Sequence, residues 1–127
     1  MRKVMLVLAV AALAVLGMSC NQLKARDQLN KGVQAFTAAQ YPEAVERFKT
    51  AVELDPGFSA ARLYLATAYM QQYIPGADSP ENNKMATAAF DNFKKVLEQE
   101  PKNSVAIASI ASLNLNQKIA LLLRHAC

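Results

Sequence analysis

Small and large apolar residues recur at the same intervals in two parts of the chain. In the first part, Ala44 is followed after four residues by Phe48, after three more by Ala51 and after five more by Pro56. The second part repeats these intervals with a chemically matched set, which runs Ala89, Phe93, Val96 and Pro101. Because chance rarely reproduces one spacing at matched positions, the chain contains a structural repeat.

The spacing predicts a helical hairpin in each copy. Apolar residues three and four positions apart lie on one face of a helix. Small residues let two antiparallel helices approach closely, so we expect Gly32 on a first helix to meet Ala44 and Ala51 on a second. Phe48 fills the space beside them, and Pro56 cannot continue the second helix and therefore ends it.

The first copy, KGVQAFTAAQYPEAVERFKTAVELDPG, resembles a tetratricopeptide repeat. That family builds a helix–turn–helix unit of about 34 residues, with small residues where the helices cross and a proline after the second helix. The resemblance extends from Arg26 to Lys118 and implies an all-α fold, in which tetratricopeptide hairpins stack as a short right-handed α-solenoid. On this frame the residues that pack the repeats are Gly32, Ala44, Phe48, Ala51, Pro56, Ala66, Ala89, Phe93, Val96, Pro101 and Ala111.

The second copy is longer than the family's period. Its closing Pro101 follows Pro56 by 45 residues, where the usual period is about 34. The extra residues fall in 71–80, which holds two prolines and a glycine that a helix interior would not keep. Ser79 is the expected N-cap of the next helix, with Pro80 in its first turn. We therefore place the copies at about 25–58 and 59–103, within a repeat domain over 26–118.

A third copy, 104–118, is incomplete. Ala111 follows Ala66 by the same 45 residues, and a turn to a second helix is expected after Lys118. The atypical tail 119–127 contains no segment that matches a second helix. It is either an extended capping helix or a truncated or frame-shifted end whose parent had further repeats. A terminal cap should have a polar outer face, and 121–123 is Leu-Leu-Leu, so both interpretations stay open.

The N-terminus has the order of a bacterial secretory signal. Arg2 and Lys3 precede an uncharged apolar run over 4–16, which is too short to favour a bilayer-spanning helix of about 20 residues. The following Gly17-Met18-Ser19-Cys20 is similar to a lipoprotein signal, which implies removal of residues 1–19, a lipid on Cys20 and a linker over 20–25. An uncleaved anchor, or cleavage by the ordinary signal peptidase near Ala12-Leu13-Ala14, is the alternative. We expect export to the periplasmic side of a bacterial membrane, anchored or soluble.

Composition narrows the functional classes. Two of the 14 basic residues lie in the signal, so the rest of the chain nearly balances the 10 acidic ones, and nucleic-acid binding is not expected. The two cysteines do not suggest a disulfide framework. With a single histidine, His125, and no glycine-rich phosphate loop or metal-spaced cluster, we expect no enzyme, no cofactor and no metal.

A partner-binding groove is the remaining candidate site. In tetratricopeptide arrays the first helices line a concave surface, and the resemblance places it here on three sets. These sets are Arg26, Leu29, Val33 and Phe36; Ala60, Leu63, Thr67, Met70 and Gln71; and Val105, Ala108, Ser112 and Leu115. The same apolar residues could be core residues, and the sequence leaves that alternative open. The Lys and Asn residues with which some relatives clamp a chaperone's terminal carboxylate are absent at these places, so an amphipathic or extended peptide is the expected ligand.

These observations predict an exported scaffold that binds another protein of the bacterial cell envelope through its concave face. One alternative is a structural adaptor of an envelope assembly complex that uses the convex face and the inserted loop. A small-molecule carrier and a fragment of a larger repeat protein are the others.

Overall fold

Five α-helices follow one another along the described part of the chain. The computed structural model describes residues 1–126, except for the side chains of residues 12–18. In chain order the helices are α1 (Arg2–Thr37), α2 (Tyr41–Leu54), α3 (Ser59–Gln72), α4 (Pro80–Gln99) and α5 (Ser104–Ala126). The described residues contain no strand, and the expected all-α fold of helical hairpins is confirmed.

The first hairpin, α1 with α2, depends on the absence of a side chain at Gly32. A Cβ atom built on Gly32 would lie 2.4 Å from Cε1 and 2.6 Å from Cδ1 of Phe48. The Phe48 ring is completely buried within a hydrophobic core cluster, so moving it would displace the residues packed around it. The absence of a side chain at Gly32 therefore lets the α1 backbone pack this closely on the Phe48 ring of α2.

A tight turn over residues 38–40 joins the two helices. The N–H of Gln40 donates to the carbonyl of Ala35 at 2.9 Å, and the N–H of Ala39 donates to the carbonyl of Phe36 at 3.0 Å. Ala39 adopts φ 59°, the left-handed conformation that usually selects glycine at a helix C-terminus. Pro42 follows in the first turn of α2, where a missing N–H is tolerated.

The second hairpin begins with α3, which packs on α2. The first core cluster joins residues of α1, α2 and α3: Ala35, Ala44, Val45, Phe48, Leu65 and Ala68. Phe48 also stacks on Tyr64 of α3, with ring centroids 5.5 Å apart and the planes inclined by 27°. The ring that fills the first crossing therefore also connects the first hairpin to the second.

The third helix pairs with α4 around a second core cluster. Its buried members are Ala66, Ala89, Phe93, Val96, Ala106 and Leu113. Within α4, Ala89, Phe93 and Val96 are all completely buried, as are Ala44, Phe48 and Ala51 of α2. Helix α4 has 20 residues, whereas α2 has 14. The hydroxyl of Ser79 caps the start of α4 by accepting from the N–H of Asn82 at 3.1 Å.

The N-terminal segment continues directly into the first hairpin. Helix α1 runs unbroken from Arg2 to Thr37, so the expected linker over 20–25 is helical, and Ala25 is completely buried. No glycine or proline interrupts 18–31, and most of these residue types favour a helix. Cys20 is exposed. The side chains of the candidate cleavage site Ala12-Leu13-Ala14 and of Gly17-Met18 are not among those described. Cys127 lies outside the described residues.

Helix α5 differs from the expected third copy in two ways. The helix continues past Lys118 to Ala126, where a turn was expected. Ala111 is exposed rather than packed, whereas Ala106 and Leu113 are buried against α4. Ala111 occupies the position in its copy that Ala66 occupies in the second copy. Ala66 is buried in a cluster to which α4 contributes, whereas no further helix follows α5 among the described residues to bury Ala111 in the same way.

One helix in the described residues, α5, has the length and the apolar composition of a membrane span. Its inner face nevertheless contributes Ala106 and Leu113 to the second core cluster.

Replacing Gly32 by Ala tests the close approach in the first hairpin. The new methyl group would force the buried Phe48 ring to move, an overpacking that should destabilise the fold by about 1–3 kcal/mol, despite a gain of up to about 1 kcal/mol in helix propensity. Gly57→Ala is the matched control, because the nearest atom to its added Cβ is the Asp55 carboxylate oxygen at 3.7 Å. Thermal denaturation followed by circular dichroism measures both variants. Equal melting temperatures would contradict the assigned crossing.

Candidate functional site

The first helices of the two complete hairpins provide the candidate groove. Helices α1 and α3 contact each other, while α5 packs on α4. Leu29, Val33 and Phe36 of α1 occur at steps of four and three residues, and Leu63, Thr67 and Met70 of α3 occur at the same steps. Residues at these steps share one helix face, so each helix presents a single apolar edge.

The three apolar residues of α1 are half-buried. Leu29, Val33 and Phe36 all pack against the first core cluster while part of each side chain stays exposed. The Phe36 ring also meets Tyr41 edge-on, with 5.3 Å between the centroids. Arg26 lies one turn before Leu29 and is exposed. The α1 edge is therefore an apolar floor with a cation at one end.

Helix α3 repeats this arrangement. Leu63 and Met70 are half-buried and pack against the second core cluster. Between them, the hydroxyl of Thr67 donates to the carbonyl of Leu63 at 2.8 Å, so its hydrogen is already used within the helix. Gln71 is exposed at the end of the helix, as is Ala60 at its start. A polar side chain, Gln71, therefore lies at one end of an apolar floor here as well.

Helix α5 supplies the least buried part of the expected groove. Leu115 is 58% exposed and Val105 is 52% exposed, and Ala108 is exposed too. Ser112 is half-buried. The core and groove interpretations are thus not exclusive for α1 and α3, because their apolar residues have one side in the core and another at the surface. On α5 the apolar residues of the groove set are surface residues.

The inserted connection after α3 has a fixed structure that the sequence pattern did not predict. Asn82 is buried, and its side-chain carbonyl accepts from the N–H of Ile74 at 2.7 Å. Its amide nitrogen donates to the carbonyls of Ile74 at 2.8 Å and of Ala77 at 2.7 Å. One side chain therefore closes the loop onto the start of α4. An asparagine in the first turn after a proline-rich segment was the available signal.

This loop also contacts the C-terminal half of α5. The guanidinium of Arg124 lies 3.3 Å from the carboxylate of Asp78. Tyr73, Ala77 and Leu121 line a cavity of about 190 Å³ between the loop and α5. The two segments that exceed the repeat pattern, the insertion and the tail, therefore lie against each other.

Surface charges pair locally or connect helix ends. A hydrogen bond to the Glu46 carboxylate and the charge of that group raise the pKa of Lys49, whose Nζ lies 3.3 Å from it. Hydrogen bonds from Ser59 and then from Asn103 lower the pKa of Glu100. Asn103 in turn caps α5, because its side-chain oxygen accepts from the N–H of Ala106 at 3.0 Å. The Glu46 and Glu100 carboxylates line different surface cavities and do not meet at a common site.

The described residues contain no cluster of three His, Cys, Asp or Glu side chains that could hold a metal ion. A cavity of about 440 Å³ lies at the connection of α4 to α5, but Glu100–Asn103 line it and no groove residue does. The groove residues of α1 and α3 are suited to contact with an extended peptide or protein surface rather than to enclosure of a small ligand.

Comparison with known proteins gives a family match over part of the chain and similarity to several solved structures. Residues 35–72 match the model of the family described as Tetratricopeptide repeat, which here spans the end of α1, α2 and α3. No curated protein matches the chain. Among solved structures, the chain is similar to the first TPR of Spaghetti (RPAP3) bound to the HSP90 peptide SRMEEVD. The two are 18% identical with a TM-score of 0.41, and the match covers 76% of this chain and 95% of that one.

Replacing Asn82 by Ala should loosen the inserted loop. The change removes three hydrogen bonds and leaves backbone groups of Ile74 and Ala77 without their partners, which should cost about 1–3 kcal/mol. Hydrogen exchange at the Ile74 amide should become faster. Asn83→Ala is the control, since Asn83 is exposed and its amide donates only to Asp78 at 3.2 Å. Unchanged protection of the Ile74 amide in the Asn82 variant would refute the role of this side chain.

Proposed function

We propose that this protein is an exported, lipid-anchored scaffold that binds a protein or peptide partner through the groove of α1 and α3, extended by α5. The observation that carries the proposal is the repeated row of half-exposed apolar residues on two first helices in contact, with Leu29, Val33 and Phe36 on one and Leu63 and Met70 on the other. The tetratricopeptide match over residues 35–72 supports it, because the matched segment includes the groove helix α3 and the end of α1.

The chemistry of the groove favours an amphipathic or extended ligand. Its floor consists of aliphatic, aromatic and methionine side chains, which adapt to apolar anchors of a peptide. Arg26 and Gln71 lie at its exposed edges and can bond to backbone or acidic groups of the ligand. No acidic residue belongs to the set, so a strongly basic peptide is a poor fit.

The anchor would hold the domain close to the membrane. Cys20 is exposed, and the completely buried Ala25 follows it only five positions later. At a rise of about 1.5 Å per residue, this helical stretch is about 7.5 Å long. A lipid on Cys20 would therefore leave almost no flexible tether, and the expected partner is a protein of the same membrane surface, on the periplasmic side of a bacterial envelope.

Site-specific photo-crosslinking in the source organism tests the groove. With p-benzoylphenylalanine at Gln71, which is exposed beside Met70, illumination should give covalent adducts with one partner. The matched control places the same residue at Lys95, which is exposed on α4. We expect adducts from position 71 and none from position 95, and equal yields at the two positions would contradict the groove proposal.

The structural adaptor is the second candidate, and the Asn82 hydrogen bonds favour it because they give the loop a defined shape. The same experiment with the photoreactive residue at Ala77, which is exposed in the loop, separates the two functions. Adducts from position 77 without adducts from position 71 would contradict the groove-binding scaffold and support the structural adaptor.

Metabolic labelling with a fatty-acid analogue tests the anchor. The parental chain should carry the label and remain in the membrane fraction, and Cys20→Ala should lose the label because no other described cysteine is available. Cys127→Ala should keep both the label and the membrane retention. An unlabelled parental chain would exclude lipidation, independently of the groove result.

A further inference from the structure

Helix α5 carries an exposed apolar stripe, formed by Ala108, Ala111, Leu115, Ile119 and Leu122. Successive members are three, four, four and three residues apart, so all five lie along one face of the helix. Leu115 is 58% exposed, Ile119 44% and Leu122 61%. Both alanines are exposed as well. The mean step of 3.5 residues is that of a seam between two supercoiled helices.

The repeat explains why a helix should cover this stripe. Forty-five residues before Ala108, Ala111 and Leu115 lie Leu63, Ala66 and Met70, which pack in the second core cluster. Helix α4 supplies most of that cluster, with Ala89, Phe93 and Val96. Within residues 1–126, α5 has no equivalent of α4 on this side. The stripe is therefore a helix-packing face that no helix within residues 1–126 covers.

The stripe is also complementary to the same stripe on a second copy of the chain. Its steps read the same in both directions from Leu115, so an antiparallel copy of α5 places Ala108 opposite Leu122 and Ala111 opposite Ile119. Each small residue then faces a large one, which is the condition for interdigitated packing without voids. A parallel copy would instead set alanine against alanine at one end and bulky residues against each other at the other.

Charge favours the same orientation. Helix α5 contains no acidic residue, and its cationic or ionisable side chains, Lys118, Arg124 and His125, all lie in its C-terminal half. A parallel pair would bring both sets together at one end, whereas an antiparallel pair separates them. Antiparallel helices also oppose their macrodipoles.

We propose that α5 is a self-association surface, which binds α5 of a second copy of this chain in antiparallel orientation about a two-fold axis at Leu115. Such an isologous contact is closed and yields a dimer. Ala108 and Leu115 belong to both the stripe and the expected groove, but the groove residues of α1 and α3 stay free. The contact therefore leaves the α1 and α3 part of the groove open to the proposed partner and occupies the α5 extension.

Cysteine crosslinking of the full chain in intact cells tests the geometry. In a Cys127→Ser background that keeps Cys20, Leu115→Cys should form a disulfide-linked dimer with a mild oxidant, because the axis brings the two side chains together. Ala108→Cys alone should not. Ala108→Cys and Leu122→Cys, coexpressed with different tags, should form the mixed dimer. The background chain and Lys95→Cys, an exposed position on α4, are the controls.

Three results of this cysteine experiment would overturn the proposal. Alkylation of Leu115→Cys by a water-soluble maleimide without any dimer would show a free stripe. Failure of both reactions would show that lipid or another protein covers it, and self-crosslinking of Ala108→Cys would show a parallel pair. As a second measurement, Leu115→Lys should abolish the mixed Ala108–Leu122 crosslink, while Lys118→Leu should preserve it. A mixed crosslink that survives Leu115→Lys would also contradict the two-fold axis.

Discussion

The contact between the Gly32 backbone and the Phe48 ring sets the geometry on which the rest of the fold depends. A methyl group at Gly32 would lie 2.4 Å from the ring, so α1 packs too closely on α2 to leave room for any side chain at this position. Phe48 then stacks on Tyr64, which orients α3 against α2. Because interiors are close-packed, a shift at this crossing would be transmitted to the second hairpin and to the relative position of the two groove helices.

The sequence predicted the contacts within hairpins better than those beyond them. Identical intervals around Phe48 and Phe93 encode which small and large residues meet inside one helical pair, and the structure buries both rings completely. Such contacts are local and repeated, so two copies are enough to reveal them. The exposure of Ala111 was not predictable in this way, because it depends on which helix lies beside α5 and not on α5 itself.

The connections and the groove depend on contacts that the repeat spacing does not encode. Asn82 organises a loop through bonds to residues five and eight positions earlier, and no repeat interval records such contacts. Ala39 occupies a left-handed turn position without the glycine that would mark it. For Phe36 and Met70 the sequence left core and groove as alternatives, whereas the packing of an amphipathic helix gives one side chain both environments.

The two proposals constrain each other through the direction of the helices. A two-fold axis at Leu115 relates antiparallel copies of α5, and for side-by-side helices it runs perpendicular to the plane that contains both. A surface roughly parallel to that plane would therefore face the same way in both copies. Cys20 precedes the first hairpin on α1, so the axis would place the two proposed lipid sites on opposite sides of the dimer. With the proposed lipidation and the proposed dimer together, lipids on both copies would reach one bilayer most simply if the axis were normal to the membrane, which would set the α5 pair parallel to the membrane plane.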